Sequence, residues 1–300
     1  MKTILNVSTL VILLTAFIVK AQGPNQSQDF PESIEPFNKF RTATSHAFYD
    51  STSLDSFIVS KMEQYHFPGL SACIIKDDQI IWKGAYGYAN ILQNKLVTDS
   101  TLFHIASVSK PFTGTAIMQL WENGLFELDD DINKYLPFEV RNPDFPNDPI
   151  TFRMLLTHTS SISDNMDVFR PLNVWDMDSP VALGSFLENY LVPGGDYYLA
   201  KNWYGQPPGV KWDYANVGAA LIGYLVETVS EISFEQYCQD SIFVPLGMNE
   251  TSWFLSNLDV NNIATPYKYS NGNYYTSSHA GIPYYPAAQL RTSASQLARF

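Results

Sequence analysis

Three hundred residues, 45% hydrophobic and 16% charged, suffice to bury one large core or two modest lobes, and they exclude a disordered chain. A formal net charge of −12 leaves no clustered Lys and Arg to neutralise phosphate, so nucleic acid is not an expected partner. The only thiols, Cys73 and Cys238, fall among apolar neighbours in a predicted strand and a predicted helix, and both are expected to be buried and free.

The amino terminus carries Lys2, an apolar run from Leu10 to Val19, and the residues Val19-Lys20-Ala21 before Gln22. This pattern reads as a secretory signal over residues 1–21. The apolar run is about half of the 18 or more residues that a membrane span requires. No second long run follows, so no span is expected in the mature chain, and the expected location is periplasmic or secreted. No cysteine stands at the expected cut, which argues against a lipid-modified terminus. Residues 22–48, rich in Gln, Asn, Pro and Ser, read as a linker into a folded domain spanning 49–300.

In that domain Leu54, Phe57, Ile58, Met62 and Tyr65 recur at helical spacing until Pro68-Gly69 ends the pattern. Leu70 to Ile75 and Ile80 to Tyr88 then read as an antiparallel hairpin across Lys76-Asp77-Asp78-Gln79. A second helix begins close to Ser107, with Pro111 in or near its first turn, and stops at Asn123-Gly124. Residues 164–206 are rich in aromatics, among them Phe169, Trp175, Tyr190, Tyr197, Tyr198, Trp203 and Tyr204. Such side chains pack a helical lobe more often than they line a substrate cleft. Val217 to Val229 is another helical run, and Ser293 with Gln296 is a capping-box signature for a last helix.

Ser107-Val108-Ser109-Lys110 sets a hydroxyl and an amine one turn apart on one helix face, a nucleophile with its own base. Ser-x-x-Lys arises by chance about once in a chain of this composition, and on this segment alone a helix cap is the commoner reading of Ser107. Tyr214-Ala215-Asn216 adds a proton carrier and an amide two residues apart in an extended turn, pointing the same way. Together these motifs resemble the serine β-lactamase and penicillin-recognising superfamily, in the class C branch where Tyr-x-Asn stands in place of Ser-Asp-Asn. Phe103-His104-Ile105-Ala106, Leu155 to Ser160, Pro208-Gly209 and Leu290 to Ala294 resemble family segments in the same order, over residues 53–300.

The resemblance implies an α/β fold of the α+β type: an antiparallel sheet flanked by helices, a mostly helical inserted lobe, and the site between the layers. It implies that Ser107 is acylated, that Lys110 and Tyr214 share the proton traffic, and that Asn216 binds the substrate's acyl amide. The Ser107 N–H would give half of an oxyanion hole. The family's third element, a Lys or His followed by a small residue and Gly, belongs after the last matching segment, so the C-terminal strands that would bear it are expected to be missing. His279-Ala280-Gly281 fits the letters but precedes Leu290, and is expected to be a turn without a catalytic role. His158 is expected in a structural loop beside the site. No cofactor is implied, and the histidines lack metal-ligand spacing. The expected function is that of an exported serine hydrolase acting on a β-lactam, a D-amino-acid peptide or an ester. The alternative is a non-catalytic or truncated family member that binds peptide or protein.

Overall fold

Residues 54, 58 and 62 fall on one side of a helix, and α1 (Ser51–Tyr65) turns Leu54, Ile58 and Met62 onto a sheet. The computed structural model describes residues 51–300 and the backbone of a short strand, β1 (Val11–Leu14). The rest of the expected signal, 1–21, and the whole expected linker, 22–48, lie outside the described residues. The chain divides into two units, one formed by residues up to Phe103 with Asp259–Ser278 and Thr292–Phe300, the other by His104–Leu258 with His279–Arg291.

In the first unit β2 (Gly69–Lys76) and β3 (Gln79–Asn90) form the expected hairpin. They lie between β1 and the two-residue β4 (Lys95–Leu96) in a four-stranded antiparallel sheet. Asp77 and Asp78 make the turn with φ of 51° and 59°, the left-handed pair that suits the twist of a two-residue hairpin loop. Leu70, Ala72, Trp82 and Tyr86 face α1 around Ile58 and Met62, and Tyr86 Oη donates to Asp55 Oδ1 at 2.6 Å. Each large side chain buried there contributes roughly 1.5–3 kcal/mol. Phe57, expected in the same stripe, is exposed because about 100° per residue carries it off the 54-58-62 face, and Tyr65 is exposed as the last residue of α1. A second hairpin, Tyr267–Ser270 with Asn273–Thr276, turns on Asn271-Gly272, again with both φ positive. The helix Ala294–Leu297 starts as its signature foretells, with Ser293 Oγ accepting the Gln296 N–H at 3.3 Å.

The second unit is mostly helical: α2 (Lys110–Glu122), α3 (Phe152–Leu156), α4 (Met166–Leu172), α5 (Leu183–Leu191), α6 (Asn216–Ser230) and α7 (Phe234–Cys238). A helix apolar on nearly every side belongs in a core. Accordingly α6 buries Val217, Ala219, Ala220, Leu221, Leu225 and Val226 and packs against α2, α3, α5 and α7. Phe169 and Tyr190 join Phe186 and Tyr284 in one aromatic cluster, and Trp203 is buried, so these residues pack the lobe as expected; Trp175 is exposed. Cys73 in β2 and Cys238 in α7 are both buried and free. The turn expected at His279-Ala280-Gly281 is instead a strand: Ala280–Gly281 pairs antiparallel with Val174–Trp175. Small residues permit that approach, since a Cβ on Gly281 would run into the Met177 carbonyl oxygen. No single helix among the described residues is long and apolar enough to cross a membrane.

Candidate active site

The Ser107 segment is bent and then pinned. Ala106 takes φ of 45°, uncommon for a residue with a Cβ, and opens a 3₁₀ turn over Ala106–Ser109 that runs into α2. Pro111 sits in the first turn of α2, where its missing N–H costs little. The turn leaves Ser107 exposed and buries Ser109 completely. Ser109 Oγ accepts the Leu290 N–H at 3.0 Å, and the Ile105 N–H donates to Leu290 O at 2.9 Å. His104 Nε2 lies 2.6 Å from Ala288 O, and Thr113 Oγ1 donates to Pro286 O at 2.7 Å. Residues 286–290 are therefore a strap fastened along residues 104–113.

The side chains expected from the two motifs meet within this unit. Tyr214 Oη donates to Ser107 Oγ at 2.9 Å, and Lys110 Nζ lies 3.4 Å from the same oxygen. Lys110 Nζ also donates to Asn216 Oδ1 at 2.7 Å and to Ala287 O at 2.9 Å, and stands over the Tyr214 ring. An amine has three substituent positions besides its carbon stem. Two are occupied by N–H bonds to pure acceptors, so the third, which is an N–H in the ammonium and an electron pair in the neutral amine, faces Ser107. Burial draws the Lys110 pKa below the usual lysine range, while Tyr214 and the Asp164 charge oppose that fall. Ala215 is extended, with φ of −128°, and Asn216 is the first residue of α6, which turns Tyr214 and Asn216 toward the same amine.

Two participants were not signalled by the motifs. Asp164 accepts from Asn216 Nδ2 at 2.6 Å and from the Val217 N–H at 3.1 Å. Ala287 acts only through its carbonyl oxygen, so its residue type carries no signal. His158, at φ of 55°, accepts the Ala215 N–H on Nδ1 at 3.3 Å, and its ring centroid lies 4.6 Å from that of Tyr214. Burial, then the Lys110 charge, lowers its pKa and keeps Nδ1 an acceptor. It supports the Tyr214-to-Asn216 turn from behind. No group of three or more His, Cys, Asp or Glu side chains among the described residues is arranged to hold a metal ion. A separate cavity of about 620 Å³, walled by Phe138, Tyr224, Glu227 and Tyr285, includes none of these side chains, and its Glu227 already accepts the Phe234 N–H.

Residues 54–300 match the family model described as Beta-lactamase. Penicillin-binding protein 4* of Bacillus subtilis (strain 168) is 30% identical over 189 residues, covering 63% of this chain and 38% of that protein. The octameric penicillin-binding protein homologue from Pyrococcus abyssi superposes with a TM-score of 0.66 at 29% identity, over 84% of this chain and 55% of the other. The D-alanine carboxypeptidase AmpC from Burkholderia cenocepacia gives a TM-score of 0.63 at 26% identity, over 83% of this chain and 62% of the other. The chain spans less than half the length of the curated relatives it matches.

Proposed function

Because this chain belongs to the Beta-lactamase family, we propose that it is an exported serine hydrolase that opens amide or ester bonds through an acyl-enzyme on Ser107. The observation that carries the proposal is the convergence of Tyr214 Oη and Lys110 Nζ on one exposed hydroxyl oxygen. In the acylation step Ser107 Oγ bonds to the substrate carbonyl carbon as its proton passes to the neutral Lys110 amine. The carbonyl oxygen takes the negative charge, which the Ser107 N–H at the start of the helical run stabilises. Collapse breaks the bond to the amine or alcohol leaving group, which takes a proton from Tyr214 Oη, and Lys110 restores that proton. Water then attacks the ester by the reverse route and frees Ser107. Asn216 retains one N–H not used by Asp164, with which to hold the acyl amide of a substrate. A D-amino-acid peptide, a β-lactam or a small ester fits this chemistry, in keeping with a penicillin-binding protein and a D-alanine carboxypeptidase among the similar proteins.

The test is covalent labelling with a fluorescent penicillin or a fluorophosphonate. Stoichiometric labelling is expected of the chain and none of Ser107→Ala, while Lys110→Ala should slow labelling by about 10²–10⁴-fold without unfolding the protein. A folded chain that neither probe labels would instead support the non-catalytic, peptide-binding reading. Export is tested by sequencing the amino terminus of the secreted form, which is expected to begin at Gln22 and so to keep the β2-β3-β4 part of the sheet without β1.

A further inference from the structure

One half-buried carboxylate touches the Asn216 side chain, the first turn of α6 and, through Asn216, the amine of Lys110. Asp164 lies 52 residues before Asn216 in sequence, in the loop between α3 and α4, outside both motifs. We propose that Asp164 is the positioning residue of this site: it holds the Asn216 amide with its NH₂ group on the carboxylate and its oxygen on Lys110, and thereby fixes which side of the Lys110 amine faces Ser107.

A side-chain amide has two orientations related by a half turn, and they differ only in which end presents oxygen. Lys110 Nζ toward its neighbours is a donor, and an ionised Asp164 only accepts. The observed orientation satisfies both, at 2.7 and 2.6 Å. The flipped one sets donor against donor and acceptor against acceptor. With Asn216 Oδ1 and Ala287 O each taking one Lys110 N–H, the third position is left to Ser107.

The same carboxylate explains how α6 begins. Its N-cap residue, Ala215, has no side chain with which to bond the first turn, and Asp164 Oδ1 accepts the Val217 N–H in its place. The positive end of a fifteen-residue helix favours an anion there. Burial pushes the Asp164 pKa up, and the N–H groups of Asn216 and Val217 pull it back. Around Lys110 the charged and titratable groups are Asp164, Tyr214 and His158; Asp213 reaches only as far as His158. Asp164 is the carboxylate whose charge opposes, without cancelling, the fall in the Lys110 pKa that burial causes.

This placement rests on the proposed role of Lys110, yet it has a readout independent of turnover. In the full chain labelled with ¹³C at lysine Cε, the Lys110 resonance, assigned with Lys110→Arg, reports its titration. Asp164→Asn should lower the Lys110 midpoint by about one pH unit and shift both Asn216 side-chain NH₂ resonances, assigned with Asn216→Ala. Asp164→Glu, which keeps charge and acceptor, should return the midpoint toward that of the unmodified chain. A folded Asp164→Asn with the Lys110 midpoint and Asn216 resonances unmoved overturns the proposal, even if the unmodified chain is labelled by penicillin. If Asp164→Asn does not fold, the unmodified chain decides: one Asn216 NH₂ proton must exchange slowly, and two rapidly exchanging protons overturn the assignment. Failure of penicillin labelling with the Lys110 shift intact would remove the hydrolase reading and leave Asp164 where it is placed.

Discussion

Two serines stand in Ser107-Val108-Ser109-Lys110, and the bend at Ala106 gives them opposite duties. Ser107 is exposed beside the amine; Ser109 is fully buried and bonded to the strap. Ser109→Ala would strand the buried Leu290 N–H, at a cost of about 1–3 kcal/mol. Thermal unfolding should therefore fall by several degrees for Ser109→Ala while probe labelling at Ser107 persists. A loss of labelling with no loss of stability would mean that the two serines have been assigned the wrong way round. Spacing in the sequence shows that a hydroxyl and an amine share a helix face. It cannot show which hydroxyl is turned outward, because that depends on one backbone angle and on residues 181 positions away.

Elements were legible where the pattern is local. The Asp77-Asp78 turn, the stop at Asn123-Gly124 and the start at Ser293 each depend on a few adjacent residues, and each forms as expected. The hairpin on Asn271-Gly272 was not predicted, although Asn-Gly between Tyr-rich runs is a strong two-residue turn signal. The strand at Ala280–Gly281 carries no local pattern, since two small residues pair only when a distant strand is supplied. Helix α6 also ends against local preference: Glu231, with φ of 60°, occupies the left-handed position after Ser230 where glycine is usual. Relief of the left-handed strain, offset by the greater backbone freedom of glycine, leaves a net gain for Glu231→Gly of roughly 0.5–1 kcal/mol. Denaturant unfolding should show a raised midpoint with an unchanged slope. A lowered midpoint would mean that the Glu231 side chain stabilises the α6 terminus by more than its backbone strain costs.

At the scale of the whole molecule, the fold was legible as a family pattern, and the site only as its two motifs. Asp164 and Ala287 join Lys110 because α3, α6 and the strap bring three distant stretches together, and no spacing in the chain encodes that meeting. The strap also couples stability to pH. His104 Nε2 sits against Ala288 O in a part-buried place, and desolvation, aided by the Arg291 charge, lowers its pKa to about 4 from an ordinary 6.5. In the folded chain the ring stays neutral down to pH about 4, whereas the unfolded chain protonates it below about 6.5. The unfolded state thus binds more protons across that window, so stability falls as pH falls, by on the order of 3 kcal/mol once pH reaches the folded value. His158 and His279, whose pKa values burial also lowers, add to the same trend. Melting temperature measured between pH 7 and 4.5 should decline, and His104→Gln, which keeps an N–H for Ala288 O, should flatten the decline. An equally steep decline in His104→Gln would exclude His104 as a source of the acid sensitivity.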